Sequence, residues 1–164
     1  GIAAAVGPGS YTGLRVGLAL AKGLALANGL PLIGVPTLDL VAVSFGQREG
    51  QLVVVAEAGR RRISAAGYAW HGRAGWTNEW GPENSTWDEL LEHLEGFTTF
   101  AGEIKPEAAK KIRAANSQFK VALPGRSIRR AGHLAEIGWQ RLRAGKTDEA
   151  AQLAPIYLND PAGN

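Results

Sequence analysis

The feature that most constrains this chain is a glycine-rich turn between two apolar segments near its start. The apolar run Gly1–Val6 is followed by Gly7-Pro8-Gly9, and Ser10 then opens a long apolar stretch that ends at Asn28-Gly29. A short apolar run bounded by Gly and Pro is typical of a buried strand. Ser is a favoured helix N-cap and Gly a favoured C-terminal cap, so we expect a helix from Ser10 to Ala27.

The expected helix is unusual because its apolar side chains surround it. Large apolar residues stand on all sides: Leu14, Val16, Leu18, Leu20, Leu24 and Leu26. We therefore expect burial on more than one side. Gly13, Gly17 and Ala21 recur every four residues and form a stripe of small side chains. Glycine inside a helix costs about 1 kcal/mol relative to alanine, and close approach of another helix, from this chain or a partner, would compensate.

The turn itself is a candidate anion site. Gly7, Pro8, Gly9 and Ser10 would place free backbone N–H groups at the positive end of a helix dipole, which favours anions. The Walker pattern requires Gly-Lys where Thr12-Gly13 stand, and the dinucleotide pattern requires Gly at Thr12. Two interpretations stay open, a turn that binds phosphate or nucleotide and a tight turn without a ligand.

The patterns along the whole chain predict two units that differ in the order of their strands and helices. Residues 1–47 predict β-α-β-α, with a second helix that Thr37 caps and that ends near Gly46. Residues 48–152 predict β-β-β-α-β-α-β-α, including helices at 85–95, 106–115 and 127–144. Ser85 and Asp88 would form the capping box of the first of these. Residues 153–164 predict an extended tail. If both units are of one kind, the first lacks its opening strands.

Composition excludes several classes of protein. The 164 residues carry a net charge of +3, no Cys and no Met. The absence of Cys excludes disulfides, thiolate metal sites and a Cys nucleophile. The absence of Met indicates a processed start or a chain that begins inside a domain. Arg15, Lys22 and Asn28-Gly29 interrupt the most apolar stretch, which argues against a membrane span.

Basic clusters leave two interpretations open, solvated surface and contact with a phosphate-rich partner. The clusters are Arg60-Arg61-Arg62, Lys110-Lys111 with Arg113, Arg126 with Arg129-Arg130, and Arg141 with Arg143.

No catalytic or metal-binding set is evident. His71, His93 and His133 each lack a second His or a carboxylate at a convincing ligand spacing. No Ser-His-Asp order or nucleophile elbow is present. We therefore expect no catalytic residues, no metal and no cofactor.

Four motifs together resemble one known family. They are Gly7-Pro8-Gly9-Ser10-Tyr11-Thr12-Gly13-Leu14-Arg15-Val16-Gly17, Ala21-Lys22-Gly23-Leu24-Ala25, Pro31-Leu32-Ile33-Gly34-Val35 with Thr37-Leu38-Asp39, and the closing Pro155-Ile156-Tyr157-Leu158. This set is similar to the TsaB (YeaZ) family. The resemblance implies the α/β fold of the actin/hexokinase/Hsp70-like (ASKHA, ribonuclease H-like) class. Two subdomains are implied, the first incomplete because the family's opening strands are missing before Gly1.

The resemblance further implies a non-catalytic paralogue of the TsaD transferase. The catalytic paralogue carries two metal-binding histidines four residues apart, whereas Thr37 and Val41 stand there in this chain. The implied role is to bind and activate a TsaD-type transferase that makes N6-threonylcarbamoyladenosine at position 37 of tRNAs reading ANN codons. The implied partners are that transferase, in a heterodimer, an ATPase subunit, and tRNA through the complex.

The expected interface centres on the glycine-striped helix. Its residues are Ser10, Tyr11, Gly13, Leu14, Gly17, Leu18, Ala21 and Lys22. The alternative is an ATP-binding phosphotransferase or hydrolase of the same fold, with 7–13 contacting phosphate. We expect a cytoplasmic protein without membrane contact. A further alternative, compatible with the heterodimer, is a homodimer through the same helix when the partner is absent.

Overall fold

The structure, a computed structural model, describes residues 1–59 and 61–158 and contains two sheets. In the first sheet, β1 (Ile2–Gly7) and β2 (Leu32–Pro36) pair in parallel, and the helix α1 (Tyr11–Asn28) connects them. The short helix α2 (Asp39–Ala42) follows β2. The predicted β-α-β-α order of this unit is confirmed among the described residues.

The second sheet has five strands in the order β5-β4-β3-β6-β7. They are β3 (Gln51–Glu57), β4 (Ile63–Trp70), β5 (Trp76–Ser85), β6 (Thr98–Gly102) and β7 (Phe119–Val121). Strands β3, β4 and β5 are antiparallel neighbours, whereas β6 and β7 continue the sheet in parallel. The remaining α-helices of the described residues are α3 (Trp87–Glu92), α4 (Pro106–Ala115) and α5 (Ala131–Arg143).

Strand β3 lies at the centre of the second sheet and is apolar on both faces. Val53 and Val55 pack in one cluster with Phe100 and with Ile112 of α4. Leu52 and Val54 pack in another, with side chains from α2 and the residues beside it. A continuous apolar strand is expected where both faces of a sheet are covered. This sheet therefore holds the main core of the described chain.

The predicted ends of α1 are confirmed. The Ser10 hydroxyl accepts a hydrogen bond from the Gly13 N–H at 3.3 Å, as an N-cap should. At the other end Gly29 adopts a left-handed conformation, with φ of 59°, and its N–H donates to the last carbonyls. The observed ends of α1 therefore each lie within one residue of the predicted ends.

Three local predictions were wrong because side chains found other partners. Thr37 does not cap α2, since its hydroxyl accepts a bond from the Gly7 N–H, and α2 is a single turn. The capping box of α3 uses Thr86 and Glu89, one residue later than predicted. The last helix begins at Ala131, because the Ser127 hydroxyl instead accepts from the Gly102 N–H at 2.9 Å.

The last helix also lies on an unexpected sheet. Residues 48–152 were predicted as one unit, yet α5 contacts β1 and β2. Its Leu134 and Ile137 pack in a cluster with Ile33 and Val35 of β2. The helix thereby covers the face of the first sheet opposite α1. The division into 1–47, 48–152 and 153–164 stays a prediction, and residues 159–164 of the tail lie outside the described residues.

Candidate functional site

Helix α1 buries only one face in the described chain. Leu18, Ala21 and Ala25 are buried and pack in a cluster with residues of β1 and β2. The expectation of burial on more than one side was therefore wrong for this chain alone. Leu18 and Ala21 were predicted as interface residues, but they hold α1 onto its own sheet. The small-residue stripe is divided, since Ala21 faces the core.

The opposite side of α1 is apolar and exposed to solvent. Val16, Leu20 and Leu24 are 63%, 63% and 48% exposed. Gly13 and Gly17 lie beside them and are also exposed. A Cβ added at Gly17 would meet no atom within 4 Å. We call Gly13, Val16, Gly17, Leu20 and Leu24 the α1 face, and contiguous exposed apolar residues of this kind mark interaction surfaces.

The other predicted interface residues surround the start of α1. Ser10 serves as its N-cap, and Leu14 is half-buried with its side chain against Gly7. The ring of Tyr11 lies 5.1 Å from that of Tyr157, centre to centre. Lys22, farther along α1, is half-buried on the side of the helix away from the α1 face. Tyr157 is not among the predicted site residues, although it belongs to the closing motif Pro155-Ile156-Tyr157-Leu158.

The glycine-rich turn is held by protein groups rather than left open. The Gly7 N–H donates to the Thr37 hydroxyl at 3.1 Å, and the Gly7 carbonyl accepts from the Thr37 N–H at 2.7 Å. The Ile156 N–H donates to the Val6 carbonyl at 2.6 Å. Gly7 has φ of 110°, and a Cβ there would lie 2.9 Å from the Ile156 carbonyl oxygen. This arrangement favours the tight-turn interpretation of Gly7, Pro8, Gly9 and Ser10.

A cleft of about 450 Å³ opens beside the turn. Pro8, Gly9 and Ser10 line one wall, and the carboxylates of Glu57 and Glu103 line another. Both carboxylates have cationic partners, Lys105 for Glu57 at 2.7 Å and Arg129 for Glu103. The one cation lining the cleft among the described residues, Arg129, is therefore already paired. Among the described residues, the cleft lining therefore offers a phosphate group no cation that lacks a carboxylate partner.

A partly buried polar network that sequence reasoning missed links β4 of the second sheet, through α2 and α5, to β2 of the first. The Tyr68 hydroxyl of β4 donates to Oδ1 of Asp39 at 2.8 Å. Arg141 of α5 lies 3.7 Å from Oδ2 of Asp39 and donates to the Gly34 carbonyl. Burial raises the pKa of Asp39 above its ordinary value, against the opposing effects of Tyr68 and Arg141. Burial first, then the Asp39 charge, raises the pKa of Tyr68.

The histidines lie apart from one another and have local partners. His71 Nε2 is 2.9 Å from Glu79 Oε1, and His93 Nδ1 is 2.7 Å from the Glu89 carbonyl. His133 Nδ1 is 3.1 Å from the Leu40 carbonyl. Within residues 1–59 and 61–158, no three His, Asp or Glu side chains form a group that could hold a metal ion. No helix in the described ranges is long and apolar enough to cross a membrane.

Comparison with known protein families gives a match over nearly the whole chain. A model of the TsaD family, described as tRNA N6-adenosine threonylcarbamoyltransferase, matches residues 1–162. An uncharacterized protein of Mycobacterium tuberculosis is 30% identical over 159 residues, which cover 94% of this chain and 62% of that protein. The chain thus spans less than two thirds of the length of that relative.

Two similar proteins carry a descriptive name. The Escherichia coli protein is 28% identical over 171 residues, covering 94% of this chain and 68% of its own length. The Bacillus subtilis protein is 30% identical over 105 residues, covering 62% and 45%. Each is named tRNA threonylcarbamoyladenosine biosynthesis protein TsaB.

Solved structures show the same fold. A structure titled YeaZ from Pseudomonas aeruginosa aligns with a TM-score of 0.69 at 16% identity, over 93% of this chain and 72% of that one. A second Pseudomonas aeruginosa structure, of a protein with similarity to peptidase YEAZ, aligns with a TM-score of 0.66 at 18% identity, over 94% and 72%. The predicted actin/hexokinase/Hsp70-like α/β class is confirmed. The chain belongs to the tRNA N6-adenosine threonylcarbamoyltransferase (TsaD) family and, within it, to the TsaB (YeaZ) group.

Proposed function

We propose that this chain is a non-catalytic subunit in the synthesis of N6-threonylcarbamoyladenosine in tRNA. It binds a TsaD-type transferase through the α1 face and activates it, with an ATPase subunit in the same complex and tRNA contacted through the complex. The names of the Escherichia coli and Bacillus subtilis relatives support the process. The exposed apolar α1 face supports the mode of action.

The α1 face is the main support for the proposal, because leaving its apolar side chains exposed to water is energetically unfavourable. Full burial of a Val or Leu side chain is worth about 1.5–3 kcal/mol. Val16, Leu20 and Leu24 follow one another at intervals of four residues and form a ridge. Gly13 and Gly17 leave a shallow groove beside it, and helices pack by fitting the ridges of one into the grooves of another. A helix of the transferase is the occupant we propose.

A role without catalysis is supported by the residues at the family's metal positions. Thr37 and Val41 are both buried, at 4% and 1% exposure. The Thr37 hydroxyl is already engaged with the backbone of Gly7. An isopropyl group offers no metal ligand, and a hydroxyl is a poor replacement for an imidazole.

The test is reconstitution with the TsaD-type transferase, the ATPase subunit and tRNA. Gly17→Leu should prevent co-elution with the transferase and lower tRNA modification, because the added side chain fills the groove. It should leave the fold intact, since a side chain at Gly17 enters open space. Gly132→Leu is the matched control, because it changes an exposed glycine of α5 that also faces open space.

Two results would count against the proposal. Modification that proceeds equally without this chain would remove its role in the process. Co-elution of Gly17→Leu as tight as that of the unchanged chain would remove the α1 face as the interface. The ATP-binding alternative has its own test, since calorimetry with ATP and magnesium should detect tight binding by the isolated chain if that alternative holds.

A further inference from the structure

The flank of α1 that is turned away from the α1 face combines aromatic rings with cations. Tyr11, Arg15 and Lys22 lie within about 40° of one another around the helix axis, whereas Leu20 lies half a turn from Tyr11. The ring of Tyr157 from the tail packs beside Tyr11. No Asp or Glu occurs in α1, and the ion pairs of the described residues include neither cation. We call Tyr11, Arg15, Lys22 and Tyr157 the basic flank.

The two rings of the basic flank are exposed, and they hold Arg15 between them. Tyr11 and Tyr157 are 43% and 39% exposed. The Arg15 Nε donates to the Tyr157 hydroxyl at 2.9 Å, and its Cζ lies 4.1 Å from the ring centre of Tyr11. No hydrogen bond or ion pair to a described residue uses the terminal nitrogens of Arg15. The flank therefore presents ring surface next to charged N–H donors that the described residues leave without an acceptor.

We propose that the basic flank contacts tRNA directly, at a nucleotide whose base is unstacked from its neighbours. This inference rests on the proposed function and adds a contact that this chain itself makes. Proteins hold single-stranded RNA by stacking its bases on aromatic side chains or guanidinium planes and by placing cations along its backbone. Tyr11 and Tyr157 supply the stacking surface, and Arg15 and Lys22 supply donors for phosphate oxygens.

The composition of the flank favours a nucleotide over the carboxylates of a protein. A carboxylate would pair with the two cations but would leave both exposed rings without a partner, whereas a nucleotide engages rings and cations together. The place of the flank also suits tRNA, because a helix packed on the α1 face lies on the other side of α1. The transferase and tRNA would therefore occupy opposite flanks of one helix.

The experiment measures binding to an unmodified transcript of an ANN-decoding tRNA by fluorescence anisotropy. The isolated chain and its complex with the transferase are both titrated at several salt concentrations. Arg15→Gln with Lys22→Gln should lower the slope of log affinity against log salt by about 1.4, since each phosphate contact with a single strand contributes about 0.7. That slope corresponds to a loss of affinity of about tenfold near 0.2 M salt. Lys110→Gln with Arg113→Gln is the control for net charge, because both are exposed on α4.

A second pair of variants tests stacking apart from charge. Tyr11→Leu with Tyr157→Leu should lower the affinity about tenfold and leave the salt slope nearly unchanged, because stacking on a ring releases no counterions. Tyr11→Phe with Tyr157→Phe keeps both rings and should retain the affinity within about threefold. Thermal melts of all variants check that the fold is kept.

Three results would overturn the inference. The first is tRNA binding, in both preparations, that is absent or is unchanged by the charge and ring variants. The second is an equal loss of affinity in the α4 control, which would show a response to net charge alone. The third is loss of co-elution with the transferase on Arg15→Gln with Lys22→Gln while the isolated chain keeps its tRNA affinity, which would make the flank a protein interface.

The function on which the inference rests fails in a different measurement. If Leu20→Glu leaves co-elution with the transferase intact, the α1 face is not the interface, and the isolated chain still tests the basic flank against tRNA. If Leu20→Glu abolishes co-elution but keeps the tRNA affinity of the isolated chain, the two flanks of α1 have the separate roles proposed for them.

Discussion

Helices α1 and α4 each bury one apolar stripe but expose opposite kinds of side chain to solvent. Helix α4 buries Ala108, Ala109 and Ile112 and turns Lys110, Lys111 and Arg113 to water. Helix α1 buries a similar stripe of Leu18, Ala21 and Ala25, yet turns Val16, Leu20 and Leu24 to water. An amphipathic helix with one apolar stripe is complete within its own domain. A helix with a second exposed apolar face indicates that a further surface belongs there.

Among the variants that test this comparison, a change on the buried side of α4 should have the largest effect on stability. Ile112 is fully buried among Phe100, Phe119 and the residues of β3. Ile112→Ala should lower the free energy of unfolding by about 2–5 kcal/mol, because it removes apolar contacts and leaves a cavity. Chemical denaturation measures the change. A loss below 1 kcal/mol would mean that α4 is not anchored as the structure shows.

The second effect tests whether the tail supports the start of α1. Gly7→Ala should destabilise the fold by about 1–3 kcal/mol, since φ of 110° suits glycine and the new Cβ would lie 2.9 Å from the Ile156 oxygen. Gly17→Ala is the matched control and should stabilise α1 by up to about 1 kcal/mol. Thermal melts of the two variants should shift in opposite directions, and a shared direction would contradict this account.

The third effect tests the polar network that links the second sheet to the first through α2 and α5. Because burial raises the pKa of Asp39 above 3.8, the folded state holds the proton more tightly than the unfolded state. Its contribution to stability is therefore greatest at low pH and declines as pH rises from about 3.8 through the raised pKa. Asp39→Asn should remove that decline. The measurement is the difference in unfolding free energy between the two proteins across this pH range, and a constant difference would contradict the prediction.

A change on the exposed side of α1 should have the smallest effect on the stability of the isolated chain. Leu20→Ala should change the stability of the isolated chain by less than about 0.5 kcal/mol, because the side chain is 63% exposed. The same change should weaken binding to the transferase. Denaturation and pull-down on one preparation separate the two effects. A loss of stability as large as that of Ile112→Ala would show that the α1 face is covered within the chain.

Local signals were enough to predict most elements of this fold. Ser10 and Asn28-Gly29 bracket α1, and Pro106 opens α4, because caps and fixed dihedrals act over a few residues. The errors arose where a polar side chain bonded to a distant segment. Thr37 bonds to Gly7, thirty residues away, and Ser127 bonds to Gly102, so neither begins a helix. Local patterns carry no information about such partners.

The candidate site divides in the same way. The sequence by itself determined that α1 exists, where it ends, that it is apolar all round and that it carries two cations without an acid. Only the tertiary structure decided which apolar residues are buried. Leu18 and Ala21 cover β1 and β2, whereas Val16, Leu20 and Leu24 stay in water, because a sheet can cover only one side of a helix. It also placed Tyr157, distant in sequence, against Arg15.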